Sequence, residues 1–162
     1  MTTSSMPTRR YLLRVLTAAP VIAIAARAEA SETLPKVVVM RDPSCGCCAA
    51  WADHLRTAGF QVEVVETPGL ARTKARLGVP RALASCHTAQ VDGYVVEGHV
   101  PAGAVKRLLT ERPRATGLAV PGMPVGSPGM EVAGVEPDTF EVVLFGPEGQ
   151  RTFARYRGQT EA

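Results

Sequence analysis

Aromatic residues are scarce in this chain: four Phe, three Tyr and one Trp among 162 residues. So few rings leave little for stacking nucleic-acid bases. A surplus of one charge is missing too. The formal net charge of +3 resides in residues 1–30, where Arg9, Arg10, Arg14 and Arg27 face only Glu29. The other 14 of 18 basic residues and 14 of 15 acidic ones cancel, so residues 31–162 carry no basic excess to draw a polyanion. No apolar run is long enough to span a bilayer: Val15–Ala26 has about 12 residues, where about 20 are needed. No G-X-Y period, internal repeat, phosphate-binding glycine loop or Ser/His/Asp arrangement stands out. Neither a nucleic-acid partner nor stable membrane insertion is expected.

What is present is an apolar fraction of 46% in a length that suits one compact domain. Ahead of it, residues 1–30 read as a cleaved export signal. Thr8-Arg9-Arg10-Tyr11-Leu12-Leu13-Arg14 precedes the apolar run, and Ala28-Glu29-Ala30 supplies a small-x-small cleavage pattern before Ser31. The arginine pair followed by leucines favours the twin-arginine route over an ordinary secretory signal. Residues 31–162 are therefore expected as a single domain in the periplasm of a Gram-negative bacterium.

The remainder alternates strand and helix signals. Lys36–Arg41 and Phe60–Glu66 read as strands, with a helix capped by Ser44 between them and ending at Gly59. A helix over 70–77 stops at Gly78, and Val79–His87 reads as a third strand. Asp92-Gly93 predicts a hairpin, and Pro101 opens a third helix. This β-α-β-α-β-β-α order predicts an α/β domain of the thioredoxin-like class, given right-handed crossovers. Gly117–Gly134 reads as a long Gly/Pro/Met loop, and 140–156 as an extra C-terminal β-hairpin.

Four cysteines lie in two clusters, Cys45-Gly46-Cys47-Cys48 and Cys86-His87. Cys45 and Cys48 form a C-x-x-C at a strand-to-helix junction, where helix amides and dipole favour a thiolate. That alone fits a redox dithiol, with Cys45 attacking and Cys48 resolving. Cys47 is one thiol too many for it. On a regular helix, neighbours are rotated by about 100°, so three such sulfurs suit several bridged ions better than one chelated ion. Two structural disulfides are the bland alternative for an exported chain. Such a short spacing would staple little, since Cys45–Cys48 closes almost no loop.

Cys86, His87, His99, Met123 and Met130 complete the candidate ligands. Cys86 and His87 are adjacent, so a regular strand would send them to opposite faces. Thiolate, thioether and imidazole together select soft metals, above all Cu(I). Bland roles are expected elsewhere: His54 at the surface or boundary, Met40 in the core, and Trp51 packing beside the cluster. Arg72, Lys74 and Arg76 read as a solvated helix face.

Asp42-Pro43-Ser44-Cys45-Gly46-Cys47-Cys48 with Trp51, His54-Leu55 and Gly59-Phe60 resembles the periplasmic copper-resistance CopG family, long catalogued as a domain of unknown function. It is unrelated to the DNA-binding repressor of the same name. Ser85-Cys86-His87-Thr88, Gly93-Tyr94, Glu97-Gly98-His99-Val100-Pro101 and the stretch Gly117–Glu131 extend the likeness over about residues 35–157. The resemblance implies a thioredoxin-like fold and copper bound by Cys45, Cys47, Cys48 and Cys86. It further implies a multinuclear Cu(I) cluster with a role in copper redox chemistry or handling beside other periplasmic copper proteins. His87, His99, Met123 and Met130 match motif positions of that family.

Overall fold

The computed structural model describes residues 33–162 together with Met1. The expected export signal, but for Met1, lies outside the described residues. Strand β1, Val37–Arg41, alternates so that Val37 and Val39 are fully buried on one face. Helix α1, Cys47–Thr57, buries Cys48, Trp51, Ala52 and Leu55, an apolar stripe at helical spacing. It leads into β2, Val62–Glu66, parallel to β1. Helix α2, Leu70–Arg76, and a 3-10 turn, Arg81–Leu83, precede β3, His87–Val91, which pairs antiparallel with β1. Asp92 and Gly93, both at positive φ, make the expected two-residue turn into β4, Tyr94–Glu97.

Helix α3, Ala102–Glu111, crosses back to β5, Gly117–Ala119, parallel to β4. The expected C-terminal hairpin is β6, Thr139–Gly146, with β7, Gly149–Arg157, and a two-residue β8, Thr160–Glu161, extends it. The eight strands form one sheet in the order β2-β1-β3-β4-β5-β6-β7-β8. Period-two alternation divides its side chains between two cores. Val37, Val39, Ala89, Val96 and Leu118 pack with Trp51 and Leu55 of α1 and Val105 and Leu108 of α3. Val95, Ala119 and Phe145 face the other way, against Val79 and Leu83.

Several sequence expectations are corrected. Val79–His87 is not a strand: Leu83 N–H bonds Pro80 O in the 3-10 turn, and pairing starts only at His87. The Pro80 segment borders a cleft with Thr116, Phe145 and Gly146. Gly117–Ala119 is a strand, not loop, because it fills the slot between β4 and β6. Ser44 does not cap α1. Its hydroxyl and amide both bond Asp42 Oδ1, at 2.6 and 3.0 Å, and Gly46 takes the N-cap position. Met40 is half-buried instead of core.

Candidate metal centre

The site forms where the loop after β1, the start of β3, the β4–α3 turn and the long loop after β5 converge. Asp42 to Ser44 close a side-chain turn that stops β1, and Arg41 Nη1 donates to Cys45 O at 2.7 Å. Helix α1 begins only at Cys47. Cys45 and Gly46 therefore precede the regular turn, and the divergence expected of three helical cysteines does not occur. Cys45 and Cys48 are joined as a disulfide, while Cys47 and Cys86 are free thiols. Cys47 Sγ lies 3.6 Å from Cys45 Sγ and 3.9 Å from Cys86 Sγ. All four sulfurs fall within 4.8 Å of one another. Of the two disulfides weighed from sequence, only the short one within the motif exists.

Cys86 and His87 do not part to opposite faces, because β3 starts at His87 and leaves Cys86 in the preceding bend. Cys86 Sγ sits 3.2 Å from His87 Nδ1 and 3.1 Å from His99 Nε2. These three make a second group of donor atoms within 4.8 Å, sharing Cys86 with the first. Both imidazoles are fully buried. His87 packs at 4.4 Å against Trp51 with the rings tilted by 40°, and meets His99 edge-on at 5.0 Å. Trp51 is itself fixed by its indole N–H donating to Val100 O at 2.9 Å. So Trp51 packs beside the cluster, as expected.

His99 Nδ1 lies 2.8 Å from Pro128 O in the long loop. A carbonyl can only accept, so Nδ1 carries the hydrogen and Nε2 turns its lone pair toward Cys86. The turn that delivers His99 depends on Gly98. Its φ is +71°, and a Cβ there would stand 2.6 Å from Val120 O.

Burial sets the protonation. Desolvation, helped by the nearby His99 and Lys74, pushes the His87 pKa down to about 3. His99 and His54 are also lowered, chiefly by burial. Burial and the neighbouring Cys47 raise the Cys86 thiol to about 11. A metal binding there at neutral pH must therefore displace a proton.

Unfolded imidazoles take up protons near pH 6.5, whereas the folded ones resist, so stability present above that pH is lost as pH falls toward the folded values. The metal-free protein should lose about 2 kcal/mol between pH 7 and 5 through His87 alone. Urea unfolding at the two pH values checks this.

His54 is not a ligand candidate in the structure: its Nε2 accepts the Ala102 N–H at 3.0 Å and so caps α3. Met123 is 53% exposed and Met130 half-buried, both in the loop that presents Pro128 O. The loop reaches the cysteines through Gly129, φ +84°, where a Cβ would meet Trp51 N at 2.8 Å and Cys47 O at 3.1 Å. Gly129→Ala is expected to cost about 1–3 kcal/mol and to lift the loop from α1. Thermal unfolding and the reactivity of the Cys47 thiol would report both effects.

Behind Cys86 lies a buried polar knot that the sequence reading missed. Lys74 was expected on a solvated face, together with Arg72 and Arg76; only the two arginines are exposed. Lys74 Nζ donates to Glu97 Oε1 at 2.5 Å and to Thr88 Oγ1 at 2.7 Å. Thr88 donates to Glu97 Oε2 at 2.5 Å, and Ser85 N–H to Glu97 Oε1 at 2.6 Å. The one available signal was a lone glutamate closing the apolar run Tyr94-Val95-Val96-Glu97. Ser85 Oγ also donates to Gly122 O, at 2.5 Å, tying the bend before Cys86 to the long loop.

Fold and site together define a mixed α/β domain with a cysteine–histidine cluster able to hold a metal ion. Comparison with known proteins makes the class specific. Residues 83–130 match the family described as protein of unknown function DUF411, a stretch that contains Cys86, His87, His99, Met123 and Met130. A solved structure described as copper resistance protein copG, form 1, superposes with a TM-score of 0.72 at 44% identity, covering 77% of this chain and 99% of that one. Form 2 gives the same score and identity over 76% and 98%. The chain belongs to the copper resistance protein CopG family. No curated protein sequence matches it. No helix among the described residues is long and apolar enough to cross a membrane.

Proposed function

We propose that this protein handles copper in the periplasm, holding Cu(I) on its thiolates as a multinuclear cluster and buffering it or passing it to other copper proteins. The observation that carries the reading is the continuous run of soft donors: four sulfurs within 4.8 Å, joined through Cys86 to two buried imidazoles. Thiolate and imidazole favour Cu(I) over harder ions. Once the Cys45–Cys48 disulfide is reduced, six donors spread over two overlapping groups exceed what one tetrahedral ion uses. The family's solved members are described as copper resistance proteins, which agrees with this reading. Met123 and Met130 belong to this proposal as thioether donors on the long loop, and the twin-arginine export signal at 1–30 as its route to the periplasm.

The strand order β2-β1-β3-β4, with β1 parallel to β2 and antiparallel to β3, supports a thioredoxin-like core under this reading. Metal analysis of anaerobically purified protein tests it. Cu(I) should survive competition with a chelator that strips Zn(II). Loss of Cu(I) with Zn(II) retained would sink the proposal. Cys47→Ser should lower the copper-to-protein ratio with the fold intact, because serine is close in size and a buried unpaired hydroxyl costs only about 1–3 kcal/mol.

One observation favours a second reading. The Cys45–Cys48 disulfide at the start of α1 is the oxidised form of a thiol–disulfide oxidoreductase pair. Under that reading Cys45 and Cys48 are the catalytic residues and Cys47 is dispensable. Insulin reduction by metal-free protein decides: turnover that vanishes in Cys48→Ser supports it, and no turnover removes it.

A further inference from the structure

The two donor groups share one atom and differ in what oxidation does to them. The disulfide takes Cys45 and Cys48 out of the four-sulfur group as thiolate donors. It takes nothing from Cys86, His87 and His99. Those three are assembled in the same structure that holds the disulfide, with Sγ to Nδ1 3.2 Å and Sγ to Nε2 3.1 Å.

Their placement also draws on elements outside the cysteine motif. His99 is oriented by Pro128 O, on the far loop, and by the Gly98 turn. His87 is set by β3 pairing and by Trp51, and its backbone carbonyl accepts from Gly98 N–H at 3.1 Å. Cys86 follows Ser85, whose amide is held by Glu97. The His87 ring is fully buried against Trp51 and turns Nδ1, 3.2 Å from Cys86 Sγ, toward the shared sulfur, while Nε2 on its other side has no hydrogen-bond partner.

We propose that the protein contains two overlapping metal compartments, with the Cys45–Cys48 disulfide deciding which is available. In the oxidised protein Cys86, His87 and His99 hold a single soft or borderline ion. Reduction then opens the four-sulfur compartment beside it. The inference rests on the metal-binding reading above and adds to it a site that works while the dithiol is closed. One thiolate and two imidazoles leave an open coordination position, through which the ion can be handed to the sulfurs once they are free.

The redox step balances with an external dithiol as reductant. One of its thiolates attacks the Cys45–Cys48 bond, which breaks as a mixed disulfide forms. The second thiolate then closes the reductant's own S–S bond. Two electrons and two protons pass from the reductant to Cys45 and Cys48, and incoming metal later displaces those protons.

Zn(II) is the suitable probe, because it neither oxidises thiols nor reduces disulfides. The full chain is prepared with the disulfide intact, showing two reactive thiols, and separately reduced, showing four. Each is titrated with Zn(II) against a chromophoric chelator, and the bound ion is studied by X-ray absorption. The oxidised protein should bind one ion with a mixed nitrogen and sulfur shell, and the reduced protein a shell richer in sulfur. His99→Gln should weaken binding to the oxidised form at least tenfold. Absence of binding by the oxidised protein would overturn the inference while leaving copper binding by the reduced protein standing. Identical shells in the two states would overturn it as well. Failure of both states to bind Zn(II) or Cu(I) would overturn the proposed function itself.

Discussion

Cys86→Ser is expected to lower metal affinity more than any other single substitution in this protein. Cys86 Sγ is the atom common to the four-sulfur group and to the Cys86, His87, His99 group. Loss of an outer partner of a metal ligand already costs about 10–100-fold in affinity, so loss of a shared ligand should exceed about 100-fold. Cys47→Ser removes a sulfur from one group only and should be milder. Chelator competition with Cu(I), run on wild type and both variants, gives the order. Equal copper loading of all three would defeat the cluster. The fold should tolerate Cys86→Ser, because Cys86 lies in a bend outside β3 and is only half-buried.

The reasons this site was partly legible in the sequence are local. The Cys45 to Cys48 motif and the Cys86-His87 pair are soft donors in places where packing does not call for them, and their types name the metal class directly. The hairpin at Asp92-Gly93 and the helix after Pro101 were visible because Asp-Gly readily takes the positive φ of a tight turn and proline fixes φ at a helix start. What the sequence hid depends on partners distant along the chain.

Lys74 sits among Arg72 and Arg76 and looks like one more solvated cation. Only the tertiary fold sets it against Glu97, 23 residues away. His54 looked like a boundary residue, and its role as a cap for α3 arises from a contact 48 residues distant. The short strand β5 carries too little pattern in Gly117–Ala119 to be read as anything but loop, and pairing on both sides makes it a strand. The geometry of Cys86 beside His87 turned on where β3 begins, which no periodicity over two residues can reveal.

Glu97→Ala should be the most destabilising change outside the hydrophobic core, and its effect should reach the metal site. Glu97 is fully buried and accepts three hydrogen bonds: from Lys74 Nζ, Thr88 Oγ1 and Ser85 N–H. Truncation leaves the 11%-exposed Lys74 side chain without its counter-charge and two further donors without an acceptor. Removing one partner of such a buried pair costs about 3–5 kcal/mol. A urea unfolding midpoint measured with and without metal is the direct check. The double variant Lys74→Met with Glu97→Leu should recover much of the loss, since apolar groups of similar volume often replace a buried pair at little cost. The double variant still lacks the acceptor for Ser85 N–H, so the bend that carries Cys86 stays loose. Its metal affinity should therefore remain below wild type even where its stability returns. That split between restored stability and unrestored affinity separates a knot that merely supports the fold from one that positions Cys86. A double variant with wild-type affinity, or a Glu97→Ala variant within about 1 kcal/mol of wild type, would show that the knot does not position the ligand.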